Sequence, residues 1–231
     1  MSVAGEQYVA HYFPGTGASY DRVVGWTTLG LDRRWKRRML DQLPSEASNW
    51  LELACGTGIL TRMILDRFPS ARVLGIDVTE DYLRIAREGF RDDPRVELRQ
   101  GDATTARIAD RGPFAVVISS YLPKYVDPRA LVDHVTPSLR PGGIVVLHDF
   151  VRPRAVVPRL VWRAWMATLD FVAPLVHPEW RNVFDHSLPR LIATSRWVAL
   201  LRFALGEAGY ADVRRIRLSG GSAAIVVARR T

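Results

Sequence analysis

The sequence predicts an α/β fold, a mostly parallel sheet with helices on both faces. Three observations carry this. Short Val-, Ile- and Leu-rich segments alternate with segments of helical period between residues 50 and 149, as expected where parallel strands are joined by crossover helices. The stretch Trp50-Leu-Glu-Leu-Ala-Cys-Gly-Thr-Gly-Ile59 reads as a buried strand that passes through a glycine-rich turn into a helix. Two strand-like segments joined at Gly220-Gly221 close the chain, with the spacing of an antiparallel hairpin.

The elements follow in order. Residues 1–20 are turn-rich, ending in Phe13-Pro-Gly-Thr-Gly-Ala-Ser-Tyr20, and residues 21–43 place apolar positions at helical spacing. Pro44 to Asn49 is a linker. Strands are predicted at 50–54, 72–77, 96–101, 114–120 and 143–149, each bounded by Gly, Pro, Asp or Ser. Helices are predicted at 58–67, 79–89 and 128–139. Pro141-Gly142-Gly143 predicts a tight turn that feeds the fifth strand. Residues 153–182 read as helical and aromatic-rich, with Trp162, Trp165, Phe171 and Trp180, and 188–208 as a further helical stretch. The last two strands are predicted at 213–218 and 223–229.

The chain has 231 residues, and 48% of them are hydrophobic. That is enough for one domain with a real core. The net charge is +8, carried by 30 arginines and 2 lysines. Most of this charge is dispersed, as on ordinary helix faces; a nucleic-acid surface and attraction to anionic lipid headgroups are the other readings. The only dense run is Arg33-Arg34-Trp35-Lys36-Arg37-Arg38. The single cysteine, Cys55, excludes an internal disulfide. No secretory signal is read at the N-terminus, and Arg159, Arg163 and Asp170 interrupt the most lipophilic segment, so no bilayer span is expected. A cytoplasmic protein is expected, with association to a membrane surface left open. His134, His177 and His186 are scattered without metal-ligand spacing, so no metal site is expected.

The small residues Ala54, Gly56 and Gly58 let the backbone turn sharply and approach a ligand closely. Asp77 ends the second predicted strand, about 20 residues on, where a βαβ unit places a carboxylate on a ribose. An adenosine cofactor is therefore expected.

In order and spacing, four strings resemble the successive motifs of class I S-adenosylmethionine-dependent methyltransferases. They are Leu51-Glu-Leu-Ala-Cys-Gly-Thr-Gly58, Gly75-Ile-Asp-Val78, Gly101-Asp-Ala103 and Leu139-Arg-Pro-Gly-Gly143. The resemblance implies a Rossmann-like, seven-stranded sheet of order 3-2-1-4-5-7-6 and S-adenosylmethionine as cofactor. Within that fold the chain is most similar to the ubiquinone/menaquinone biosynthesis C-methyltransferases. The similarity rests on the run Tyr20 to Lys36, on Asp149-Phe-Val-Arg-Pro153 with the aromatic insert after it, and on Ala208-Gly-Tyr210 and Leu218-Ser-Gly-Gly221. One element departs from that family. Pro123 and Lys124 stand where it commonly carries Arg and Asn.

The resemblance divides the single domain into an N-terminal helical cap (1–44), a cofactor-binding core (45–150), a helical lid (151–210) and a closing hairpin (211–231). It assigns Gly56 and Gly58, with Ala54, to the methionine part of the cofactor, and Glu52 to its ammonium. Asp77 and Val78 fall at the ribose, Asp102 and Ala103 at the adenine, and Ser119 beneath the cofactor. Tyr20 and Lys36 fold over it. Asp149, His148 and Tyr121 are the candidates for a catalytic base, and alternation along the strand puts His148 and Asp149 on opposite faces. The implied reaction is C-methylation of a small lipophilic, quinol-like acceptor. The alternatives are an O- or N-methyltransferase of a small molecule, or a cofactor-binding scaffold without methyl transfer. A homodimer is left open, and nucleic acid is not an expected partner.

Overall fold

The computed structural model describes residues 13, 15–184 and 187–231. Seven strands form one sheet: β1 (Asn49–Leu53), β2 (Arg72–Asp77), β3 (Val96–Gln100), β4 (Phe114–Ser120), β5 (Leu139–Phe150), β6 (Tyr210–Leu218) and β7 (Ala223–Arg230). Their order is β3-β2-β1-β4-β5-β7-β6. The first five strands pair in parallel, and β7 is antiparallel to both β5 and β6. The fold class and strand order are those expected from the sequence.

The helices are α1 (Gly17–Thr27), α2 (Leu31–Leu40), α3 (Ile59–Arg67), α4 (Glu80–Gly89), α5 (Pro128–Val135), α6 (Val156–Val176), α7 (Arg181–Phe184), α8 (Ser187–Thr194) and α9 (Trp197–Glu207). Local chemistry sets several of their ends. Asp127 caps α5 by accepting from the Ala130 N–H, with Pro128 in the first turn. Glu80 and Asp81 open α4, and Arg87 lies in its last turn, each favourable to the helix dipole.

Strand alternation divides the core in two. Leu51, Leu53, Val117, Val145 and Leu147 face α5 and α9. Trp50, Val73, Val116, Ile118 and Val146 face the other way, toward α2, α3 and α4. Each fully buried aliphatic side chain contributes about 1.5–3 kcal/mol relative to exposure.

The boundaries differ from the sequence reading where the backbone breaks inside a helical pattern. The predicted helix 21–43 is two helices, separated by Leu29 and Gly30 at φ 52° and 74°. Residues 153–182 form α6, a 3₁₀ turn at Pro178–Trp180, and α7. Residues 188–208 form α8 and α9. β5 begins at Leu139 rather than 143, because the Pro-Gly-Gly run is a bulge within the strand and not a turn before it. The predicted lid 151–210 therefore divides. α6 to α8 stand over the ends of the strands, whereas α9 is a core helix, with Trp197, Leu201 and Leu205 buried under the sheet.

Gly58 sits at φ +87°, and an added Cβ would lie 2.4 Å from Phe90. Gly56 has φ +58° but 3.8 Å of clearance to Tyr82. Gly58→Ala is expected to cost roughly 2–4 kcal/mol, through strain and overpacking together, and Gly56→Ala about 1–2 kcal/mol. Urea unfolding midpoints of the two variants check the ranking.

Candidate active site

β1 and β4 end side by side, with Leu53 paired to Ser119. The chain leaves both strands through left-handed residues that are not glycine, Ala54 at φ 54° and Tyr121 at φ 73°. Such conformations cost about 1–3 kcal/mol each and persist where the surroundings fix them. Asp77, at the end of β2, supplies part of that fixing. Its Oδ2 accepts from the Gly56 N–H at 2.8 Å and its Oδ1 from the Thr79 N–H at 2.8 Å. Burial pushes this carboxyl above its usual range, against the pull of those N–H donors.

A cavity of about 280 Å³ opens at these strand ends. It brings together Tyr20, Ala54, Gly56, Asp77, Val78, Asp102, Ala103 and Tyr121 of the residues singled out in the sequence. An adenosine cofactor fits this donor set. A carboxylate offers about four acceptor positions; Asp77 accepts from the Gly56 and Thr79 N–H groups and lines the cavity, where it can also accept from a cis-diol. Asp102 receives Thr104 on Oδ1, so Oδ2 is free for an amine. Phe13, Thr79, Tyr82, Leu122, Tyr125 and Val126 also line the cavity. The sequence reading missed them because no motif marks their spacing. Thr79 alone carried a signal, as the residue between a strand-ending acid and a helix.

Four predicted cofactor residues do not line this cavity. Gly58 packs on Phe90. Ser119 donates to the Leu53 carbonyl at 2.6 Å. Glu52 is buried under the turn and accepts from the Thr61 hydroxyl at 2.6 Å. Lys36 is buried in an ion pair with Asp32. Tyr121 donates its phenol to the same Asp32 at 2.7 Å, and the Lys36 ammonium lies 4.8 Å from the Tyr121 ring centre.

The three base candidates are placed differently from one another. Asp149 is fully buried and spends both oxygens within the protein. Oδ1 accepts from Lys124 Nζ at 2.9 Å and from the Phe150 N–H, and Oδ2 accepts from the Lys124 N–H at 3.0 Å. Burial raises the Asp149 carboxyl and lowers the Lys124 ammonium, and their mutual attraction opposes both shifts. His148 points to the opposite face of the sheet, beside Trp35. Its Nδ1 pairs with the Ser120 hydroxyl at 3.0 Å, and burial drives its pKa well below the ordinary value, so it is neutral. Neither Asp149 nor His148 is among the described residues that line this cavity. Tyr121 is.

A second cavity, of about 490 Å³, lies under α6 to α8. Its walls are almost wholly apolar and include Val23, Trp35, Phe150, Trp162, Trp165, Leu169 and Ile192. Among the described residues, Lys124 is the only charged side chain lining it. Phe13, Tyr20, Tyr121 and Tyr125 line both cavities, so the two adjoin along a shared aromatic partition. The cap and lid are tied together at this partition. Ser19 donates to Glu179 at 2.6 Å and accepts from the Trp180 indole at 2.9 Å. Among the described residues no group of His, Cys, Asp and Glu could hold a metal; His186 lies outside them.

Two outcomes follow from these buried charges. Lys124→Met leaves Asp149 buried without its cation and is expected to lose about 3–5 kcal/mol, with part of that loss recovered in Lys124→Met/Asp149→Asn. Chemical denaturation of the three proteins measures it. Glu52 is pushed up to about 8, chiefly by burial. An unfolded glutamate titrates near about 4.3, so the stability that Glu52 contributes is full below that value and is lost as pH rises through about 8. Glu52→Gln is expected to gain stability relative to the parent over that window, measured as unfolding free energy against pH.

A family model described as a methyltransferase domain matches residues 51–143, the span from β1 into β5. The 2-phytyl-1,4-naphtoquinone methyltransferase of Thermosynechococcus vestitus is 30% identical over 91% of this chain and 94% of its own length. The demethylmenaquinone methyltransferase of Clavibacter sepedonicus is 30% identical over 94% of this chain and 88% of its own. Among solved structures, the N-methyltransferase NodS from Bradyrhizobium japonicum in complex with S-adenosyl-L-homocysteine superposes with a TM-score of 0.59. It is 17% identical, with 87% of each chain covered, and shows the shared fold. The chain thus belongs to the class I S-adenosylmethionine-dependent methyltransferases, within the family that holds the demethylmenaquinone methyltransferases.

Proposed function

We propose that this methyltransferase transfers the methyl group to a ring carbon of a lipophilic, quinol-like acceptor. The observation that carries the reading is the large apolar cavity set against the cofactor cavity across a four-residue aromatic partition. Its volume is within the range of pockets that enclose a small lipophilic molecule. The names of relatives at 30% identity support the same acceptor class.

When bound, S-adenosylmethionine supplies an already activated methyl group. The protein's part is alignment and charge. Asp77, Asp102 and the turn at Ala54 and Gly56 hold the cofactor in the first cavity. The aromatic partition holds the acceptor ring at a near-attack distance of about 3–3.5 Å and excludes water. Lys124, a cation that lines the second cavity, favours the deprotonated form of a ring hydroxyl and so makes the ring more nucleophilic. Asp149 orients that ammonium and is a positioning residue here, not a free base. Neutral His148 supports Tyr121 from behind, at 5.2 Å between ring centres.

The test is incubation with methyl-labelled cofactor and a reduced prenylated naphthoquinol. Label is expected in an organic-soluble product whose mass and carbon spectrum place the methyl on the ring. Transfer only to a polar catechol or amine, or to oxygen, overturns the reading. In the same assay Lys124→Gln is expected to lower kcat by roughly 10- to 100-fold, as for loss of one aimed electrostatic contact. Its affinity for S-adenosylhomocysteine should stay unchanged. Asp77→Ala should instead weaken that affinity by about 10- to 100-fold, through lost hydrogen bonds to a charged acceptor, as read by calorimetry.

A further inference from the structure

α6 is apolar on both sides. Its inner side, with Trp165, Leu169 and Ala173, packs on the rest of the domain. Its outer side exposes Val156, Val157, Leu160, Val161, Phe171 and Leu175, each more than half open to solvent. Among the exposed residues of this helix the only charged one is Arg163. At helical spacing the exposed apolar residues fall on one broad stripe. The helix has 21 residues, which makes the stripe about 30 Å long. Val157 and Val161 also line the second cavity, so that cavity opens on this face.

Beside the start of α6 lies a recess of about 600 Å³, lined by Arg152, Arg154, Arg159, Arg196, Arg202 and Arg215. No acidic side chain among the described residues lines it. None of the six forms an ion pair among the described residues. Arg215 Nε is buried without a hydrogen-bond partner. Burial, and the like charges of Arg154, Arg217 and Arg202, hold the Arg215 guanidinium below its usual range. The first residues of α9, Trp197 to Ala199, open into the same recess and add the positive end of a helix. The recess is a concentration of positive charge that no acidic side chain among the described residues balances.

We propose that the outer face of α6 and the arginine recess together dock the protein on the surface of an anionic phospholipid bilayer. The apolar stripe enters the boundary between headgroups and acyl chains, as amphipathic helices lying in the membrane plane do. The guanidinium groups take the headgroup phosphates, a geometry that suits paired N–H donors. α6 lies on the membrane and does not cross it, since no helix among the described residues is long and apolar enough to span one. The mouth of the second cavity then faces lipid. That last point rests on the acceptor reading above, whereas the docking stands without it.

The experiment is co-sedimentation of the full chain with phosphatidylcholine vesicles, with and without phosphatidylglycerol. Binding is expected to the anionic vesicles and to weaken with salt. Arg154→Gln/Arg159→Gln/Arg202→Gln is expected to weaken it on the order of 100-fold. Leu160→Ser/Phe171→Ser/Leu175→Ser should weaken it by at least about tenfold. None of these three apolar residues lines either cavity. Transfer to a short-chain acceptor in detergent is therefore expected to stay at parental rate in both variants, which separates a failure of docking from a failure of the acceptor reading. Thermal melts check that both variants fold. Equal sedimentation with neutral vesicles, or no loss in either folded variant, overturns the proposal. So does inorganic phosphate bound at the recess without any vesicle binding, or a dimer in sedimentation velocity that the serine variant alone dissolves.

Discussion

The buried carboxylate of Asp77 is the constraint on which the site depends. It accepts from Gly56 after β1 and from Thr79 after β2, and so fixes two turns against each other at the carboxyl edge of the sheet. Removing a carboxylate from water is costly unless donors surround it. Two backbone donors offset that cost in part and leave acceptor positions open toward the cavity. The left-handed backbone at Ala54 and the open turn at Gly56 persist within this frame. The position of the cofactor cavity, and of the aromatic partition beyond it, follows from it.

Behind the partition lies a second layer of buried polar groups. Lys124 with Asp149, and Lys36 with Asp32 and Tyr121, are ion pairs and hydrogen bonds nearly closed to solvent. Buried pairs of this kind gain little net stability, but they fix geometry. Tyr121 is stacked on Phe150, flanked by His148 and held through its phenol by Asp32. These contacts fix the orientation of Tyr121, which lines both cavities. The same layer explains why neither carboxylate nor imidazole at the end of β5 is available as a free base. Among the described residues, the charge that reaches the second cavity is the cation Lys124, one of the two residues at which the sequence departs from its family.

The lid joins this interior to the surface. α6 lines the second cavity on one side and presents an apolar stripe on the other. A surface helix that only capped a core would gain solubility from a polar outer face. This one lacks it, and the arginine recess stands beside its N-terminus.

By itself the sequence determined the α/β fold class, an adenosine cofactor and the acid at the end of β2, whereas the strand order and S-adenosylmethionine came from its resemblance to a known family. The first three are local signals. A period of two or 3.6, a glycine where φ must be positive and an acid at a fixed distance all act over a few residues, or one βαβ unit. Tertiary structure alone decided which candidates face a cavity. Glu52, Gly58, Lys36 and Ser119 lie in or near the motifs yet point into the protein, because strand alternation and the packing of α2 and α3 turn them inward. Phe13, Tyr82 and Tyr125 reach the site from three distant segments that no spacing connects. Asp149 read as a base because it ends a strand. It became a counter-ion because Lys124, 25 residues earlier in the chain, is folded against it, and a pairing across that separation is fixed by the sheet and not by the sequence around either residue.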